Sequence, residues 1–220
     1  MIELMVAKAE SEYADIVICP IINEYINGKV WIYNNIIFEN KIDYVNNSFS
    51  QPSLCNKLFR RELIKKYDLR IPEGVNYGED LSFVPQLIYY CNKFSFIEKP
   101  TYHYVQYNVN SYTKGFSEEK VNQTLKVINI LTEFFSSKED YKNYNYSLTL
   151  LKAIRKAKIL RSGEIKSKYI KLFPEINSML PNLDIDLKTK VILWLAAKNM
   201  KTLLRVYVKV LLIKKSQYEN

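Results

Sequence analysis

After Gly115 the hydrophobic pattern of this chain changes period, and that change limits the fold more than any single motif. Before it, short β-branched and aromatic runs alternate with helical stretches. Beyond it, apolar residues recur only at three and four, the spacing of amphipathic helices. The first part opens with Ile2, Met5, Val6 and Ala9 at helical spacing. Ala14 to Pro20 then reads as a buried strand stopped by proline. Asn27-Gly28 is a strong hairpin signal, with Val30 to Tyr33 as the returning strand. Leu58 to Tyr67 reads as an amphipathic helix, Leu81 to Cys91 as a second, and Phe94 to Ile97 and Tyr102 to Tyr107 as extended segments. Alternation of this kind makes an α/β unit.

In the second part Ser117 is a helix N-cap before Val121, Leu125, Ile128, Leu131 and Phe135. Tyr146 to Leu160 repeats the pattern with a basic face of Lys152, Arg155, Lys156 and Lys158. Ile165 to Phe173 is a shorter helix. Leu187 to Lys215 is one long helix, or two jointed near Asn199. The expected architecture is thus an α/β unit over 1–115 followed by an all-helical region over 116–220.

Charge follows the same division. Residues 1–50 carry three basic and seven acidic side chains, 51–116 nine and six, and 117–220 twenty and ten. A basic C-terminal half suggests an anionic partner, nucleic acid or a phospholipid surface. No nucleic-acid module is present and the basic residues spread over several helices, which makes nucleic acid the weaker choice. The helical stretch 187–215 can lie on an anionic membrane surface, or pack on the body with its lysines solvated. The longest uninterrupted apolar run, Val191 to Ala197, is far short of the ~20 residues that span a bilayer. Cys19, Cys55 and Cys91 are too few and too scattered for a disulfide framework, as expected of a reducing cytoplasm. With a single histidine they make no zinc site.

Four local patterns occur in order: Leu54-Cys55-Asn56-Lys57-Leu58-Phe59-Arg60-Arg61-Glu62-Leu63, Arg70 to Gly74, Tyr77-Gly78-Glu79-Asp80-Leu81, and Tyr102-His103-Tyr104 followed by Asn110-Ser111-Tyr112-Thr113. The succession resembles the acceptor-side half of bacterial family-2 glycosyltransferases of the GT-A type, enzymes of surface-polysaccharide synthesis. The resemblance covers residues 1 to about 115 and makes the α/β unit a partial GT-A-like one.

The resemblance implies transfer of a sugar from a nucleotide-sugar donor to a glycan or lipid-linked acceptor, peripherally at the inner face of the cell membrane. Asp80 corresponds to the carboxylate that takes the acceptor's proton, and Glu79 to its neighbour. A second negative charge beside Asp80 raises the pair's proton affinity. Asn56 and Lys57 either cap a helix or contact substrate, and Tyr77 belongs to the same substrate-binding set. Cys55 stands where the family often has an aromatic, and reads as a core residue. His103 is either a plain strand residue or a contact to a metal or diphosphate. The intact family uses a divalent metal, Mg or Mn, held by an Asp-x-Asp motif after a nucleotide-binding half. This chain carries neither that motif in that context nor a Gly-rich phosphate loop, so no metal ligands are assigned and the chain alone is expected to be inactive. Asp184-Ile185-Asp186 has the letters but reads as a helix cap. The alternative is a non-catalytic acceptor-binding or scaffold protein working with a separate donor-binding chain or the membrane.

Overall fold

A computed structural model describes residues 1–107 and 115–219, with side chains through Ile213. The Asn110 to Thr113 pattern therefore lies outside the described residues. The chain forms two compact units, Met1–Glu139 and Asp140–Asn220.

In the first unit α1 (Ile2–Glu12) leads into β1 (Ile16–Ile18), β2 (Ile21–Glu24) and β3 (Val30–Tyr33). Then come α2 (Lys41–Ser48), β4 (Lys57–Phe59), α3 (Arg61–Lys66), α4 (Glu79–Tyr90), β5 (Phe94–Phe96), β6 (Tyr102–Val105) and α5 (Glu118–Ser136). Two three-stranded sheets result. In the first, of order β4-β1-β5, β4 is antiparallel and β5 parallel to β1, with Val17 opposite both Leu58 and Ser95. In the second, of order β3-β2-β6, β3 is antiparallel and β6 parallel to β2, with Asn23 opposite Trp31 and Tyr104.

The hairpin turns where Asn27-Gly28 predicts. Gly28 sits at φ 75, a left-handed conformation that a residue without Cβ adopts freely. One expected element is different. The helix read over 58–67 begins only at Arg61, because Lys57 to Phe59 is a strand. The backbone groups of β1 need partners on both sides, and Leu58 and Phe59 satisfy a sheet edge as well as a helix face.

Met5, Ala14, Val17, Cys19 and Ile97 form a buried cluster under α1, with Leu58 and Tyr102 packed against it. Behind the sheet, α2 and α5 both pack against α4. Tyr44 stacks on Phe94 with ring centres 4.0 Å apart, and Phe49 meets Phe135 at 5.2 Å. The Ser117 cap is present: its side chain accepts from the Lys120 amide.

The second unit is helical: α6 (Asn145–Arg161), α7 (Ser167–Ile170), α8 (Ile176–Met179), α9 (Leu187–Ala197) and α10 (Lys201–Glu219). Its core gathers Leu148, Leu160, Ile176, Leu183, Ile192 and Leu204. The joint read near Asn199 is real. Asn199 is left-handed at φ 54, and the Met200 amide reaches back to the Leu195 carbonyl at 2.9 Å. Asp186 is the N-cap of α9 and accepts from the Thr189 amide.

The basic face read along α6 is only partly solvated. Lys156 is buried and donates to the Leu172 carbonyl at 2.7 Å, while Lys152 pairs with Glu175 at 2.8 Å. At 3.6 residues per turn Lys156 shares a side with Ala153 and Leu160, and its long stem packs with them. Among the described residues no helix is long and apolar enough to cross a membrane.

Candidate functional site

Helix α4 begins at a backbone corner that only glycine makes cheaply. Gly78, at φ 88, precedes Glu79 and Asp80, so both carboxylates fall in the first turn. There the unpaired amides and the helix dipole favour negative charge. Pro85 lies buried within the same helix and has no amide to give to the carbonyl four residues back.

Asp80 is half-buried, and its Oδ2 accepts from the Leu54 amide at 3.1 Å. Burial raises its carboxyl above the usual carboxylate value. The Leu54 hydrogen bond opposes the rise, Glu79 adds to it, and the Lys57 cation opposes it again.

The Leu54 amide belongs to a segment clamped from below. Lys57 Nζ donates to the Ser53 carbonyl at 2.5 Å and to Asn56 Oδ1 at 2.9 Å. The Asn56 amide in turn donates to the Cys19 carbonyl at 2.6 Å. Burial lowers the Lys57 ammonium to about 8. Neither residue caps a helix: Lys57 starts β4, and α3 has Arg60 at its N-cap. Their side chains hold the segment that meets Asp80.

Tyr77 stands just before Gly78, with the Lys120 ammonium 5.9 Å from its ring centre. His103 does not join this group. Its Nδ1 lies 2.5 Å from Glu24 Oε1, and its side chain is 57% exposed. Strand alternation aims it away from the side used by Tyr102 and Tyr104.

Sequence reasoning missed three contributors. Cys55, expected in the core, is exposed, with Ser53 Oγ 3.0 Å from its sulfur. It lies in a turn closed by the Lys57 amide on the Leu54 carbonyl at 3.1 Å. Tyr102 hydrogen-bonds to that thiol, and the bond, then burial, pushes its hydroxyl up to about 12. Asn35 donates to the carbonyls of Ile18 and Ile97, tying the end of the hairpin to the first sheet. The polar run Asn34-Asn35 before an apolar pair was the only signal for it. A cavity of about 60 Å³ lies here, lined among others by Tyr33, Asn35, Ser53, Asn56 and Lys57.

Among the described residues, no three His, Cys, Asp or Glu side chains gather as a metal site requires. The described residues thus offer no set that fits a divalent cation, and no step below runs through one.

No protein-family model matches this sequence, and no curated protein matches it by sequence. Solved structures do match. S. aureus TarS (residues 1–349) in complex with UDP superposes with a TM-score of 0.54 at 12% identity, covering 94% of this chain and 61% of that one. The same protein with UDP-GlcNAc gives a TM-score of 0.50 at 14% identity, covering 94% and 62%. Over the part that matches, this chain folds like TarS. This chain spans about three fifths of the TarS chains it matches. At such identity the likeness speaks for the fold and leaves residue roles to the local geometry.

Proposed function

We propose that this chain is the acceptor-side part of a GT-A, family-2 glycosyltransferase, in which Asp80 is the general base. The single observation that carries the reading is the placement of Asp80. It is a half-buried carboxylate at a helix start, held by one backbone amide and raised in proton affinity by burial and by Glu79. A base acts best when its proton affinity approaches the working pH and it stands within hydrogen-bond reach of the proton it removes. The acceptor hydroxyl gives its proton to the outer oxygen of Asp80 as its own oxygen attacks the anomeric carbon of the donor, whose bond to the diphosphate oxygen breaks and releases the nucleoside diphosphate. The Leu54 amide fixes the carboxylate's other oxygen. Asn56 and Lys57 position that amide, and Tyr77 borders the acceptor.

The donor in this reading is a nucleotide sugar, the class of molecule bound in the TarS structure with UDP-GlcNAc, and the acceptor is a glycan or lipid-linked glycan of a surface polysaccharide. The donor-binding half and the divalent Mg or Mn that such enzymes use come from outside residues 1–220.

One feature of the second unit supports work at the inner face of the membrane. Leu203, Val206, Val210 and Ile213 are exposed and fall on one stripe of α10, with Arg205 and Lys209 alongside. An apolar stripe flanked by cations suits an anionic lipid surface. Flotation with phosphatidylglycerol vesicles at low salt tests this, and a chain that stays in solution refutes it.

The central test is genetic and chemical. Deleting the gene should alter the sugar composition of the host's surface glycan, as read by mass spectrometry, and wild-type complementation should restore it. Asp80→Asn should not restore it, because loss of a general base lowers transfer by about a hundred- to ten-thousand-fold. Full restoration by Asp80→Asn, with the protein present at wild-type level, defeats the assignment.

A further inference from the structure

The β3-β2-β6 sheet is unusually bare for its composition. Every residue of β3 is exposed, Trp31 to 66%. Side chains alternate along a strand, and residues in register share a face. Tyr33, Ile21 and Tyr102 therefore form one row, and Trp31, Asn23 and Tyr104 the next row on the same face. The Gln106 amide donates to Asn23 Oδ1 at 3.2 Å, as it does only from that face. The opposite face carries Ile22, Ile32, Val30 and Val105 with the His103–Glu24 pair. Tyr33, Tyr102, Trp31 and Tyr104 are thus gathered on one side, and the aliphatic residues other than Ile21 on the other.

The aromatic face adjoins the segment whose Leu54 amide holds Asp80. Ile21 and Tyr33 of its first row line the cavity shared with Ser53, Asn56 and Lys57. Tyr102, the third member of that row, bonds to Cys55. The second row lies farther out, with Trp31 and Tyr104 two strands apart, about 10 Å.

We propose that this face is a saccharide platform on which an acceptor glycan lies. Its leading ring rests at Tyr33 and Tyr102, and the following rings pass over Trp31, Asn23 and Tyr104. The chemistry is specific. A sugar ring has an apolar side of C–H bonds that packs on an aromatic face, whose π cloud is electron-rich. Its rim of hydroxyls needs short amide donors and acceptors, which Asn23 and Gln106 supply. A packed helix or a lipid tail would instead use the aliphatic side. Which end of the glycan reacts rests on the Asp80 reading above, whereas binding to the platform does not.

The test uses the full chain, isotopically labelled, with neutral pentasaccharides of glucose, galactose, mannose and N-acetylglucosamine as probes. The chain has two tryptophans, and Trp194 in the helical unit is the internal control. At least one probe should move the Trp31 indole resonance and leave that of Trp194 in place. Trp31→Ala and Tyr104→Ala should each weaken that binding by about tenfold, the effect of one lost stacking contact. Both side chains are exposed, so the variants keep the fold, which unchanged amide resonances of α4 in the same unit check.

The platform is overturned if none of the four probes moves Trp31. It is equally overturned if binding persists in the double variant. A Trp31 response to phosphatidylglycerol vesicles, or to protein concentration, in place of saccharide overturns it in favour of a membrane or a second copy. The two readings fail separately. Saccharide binding at Trp31 together with full transfer by Asp80→Asn removes only the base, and loss of transfer without saccharide binding removes only the platform.

Discussion

Replacing Lys57 with methionine separates what this lysine costs from what it does. Burial lowers its ammonium from 10.5 to about 8, which corresponds to roughly 3 kcal/mol of preference for the neutral amine. Since the folded chain binds that proton more weakly than the unfolded chain, stability is reduced at neutral pH. It is regained as pH climbs from about 8 toward 10.5, by at most ~1.4 kcal/mol per pH unit. From about pH 8 upward the buried thiols of Cys19 and Cys91 act in the opposite sense, weakly at first and fully above pH 9. Burial pushes both up from 9.0, so the unfolded chain sheds protons that the folded chain keeps.

Lys57 outweighs the thiols between pH 8 and 9, and comparison with the variant cancels them. Each unit carries one tryptophan, so urea unfolding with fluorinated tryptophan reports the units separately at Trp31 and Trp194. Across this window, stability at Trp31 in the wild type should gain about 1 kcal/mol relative to Lys57→Met, the thiols being common to both. In Lys57→Met only the fall caused by the thiols should be left at Trp31, while any rise at Trp194, where burial lowers Lys156 to about 8, should remain. At neutral pH, relief of burial offsets the loss of two charge-assisted hydrogen bonds, each about 1.5–3 kcal/mol, so the variant still folds. A variant whose stability at Trp31 changes with pH just as the wild type's does refutes the argument.

Two further outcomes are expected. Asp80→Asn should raise the melting temperature at neutral pH, because burial and Glu79 disfavour the charge. The gain should fade as pH falls to the ordinary carboxylate value near 3.8, and a constant gain at all pH values would contradict it. Gly78→Ala should cost about 1–2 kcal/mol, read as a melting point lower by about 2–8 °C. The added Cβ meets Val127 only at an ordinary 3.6 Å, so the cost is backbone strain; an unchanged melting point would show that the φ of 88 is not required.

What was legible in the sequence was local. Asn27-Gly28, the Ser117 cap, the Asn199 joint and the Asp186 cap each follow from one residue's conformational preference, and each is present in the structure. β4 was not legible, because whether Leu58-Phe59 lies in a strand or a helix is decided by β1, some forty residues earlier. The burial of Lys156 escaped for a similar reason: its partner is a carbonyl sixteen residues away. In the candidate site, Glu79 and Asp80 stood out by their motif, and Lys57 by its neighbourhood. The links that assemble the site were invisible to spacing: Leu54 to Asp80, Tyr102 to Cys55, and Asn35 to both Ile18 and Ile97.

Pro85 has a dynamic consequence for the residue at the centre of this site. Without an amide at position 85, the Leu81 carbonyl lacks its helical partner, and the first turn of α4 is joined to the rest by one rung fewer. Side chains make up part of the difference: Ser82 donates to the Glu79 carbonyl at 2.6 Å and Gln86 to the Ser82 carbonyl at 2.5 Å. Side-chain links are softer than a backbone ladder. The turn bearing both carboxylates can thus tilt by a fraction of an ångström while Leu87 and Ile88 stay locked in the core. A carboxylate with that freedom can follow a proton donor through a reaction, and amide exchange in this turn should run ahead of exchange in the remainder of α4.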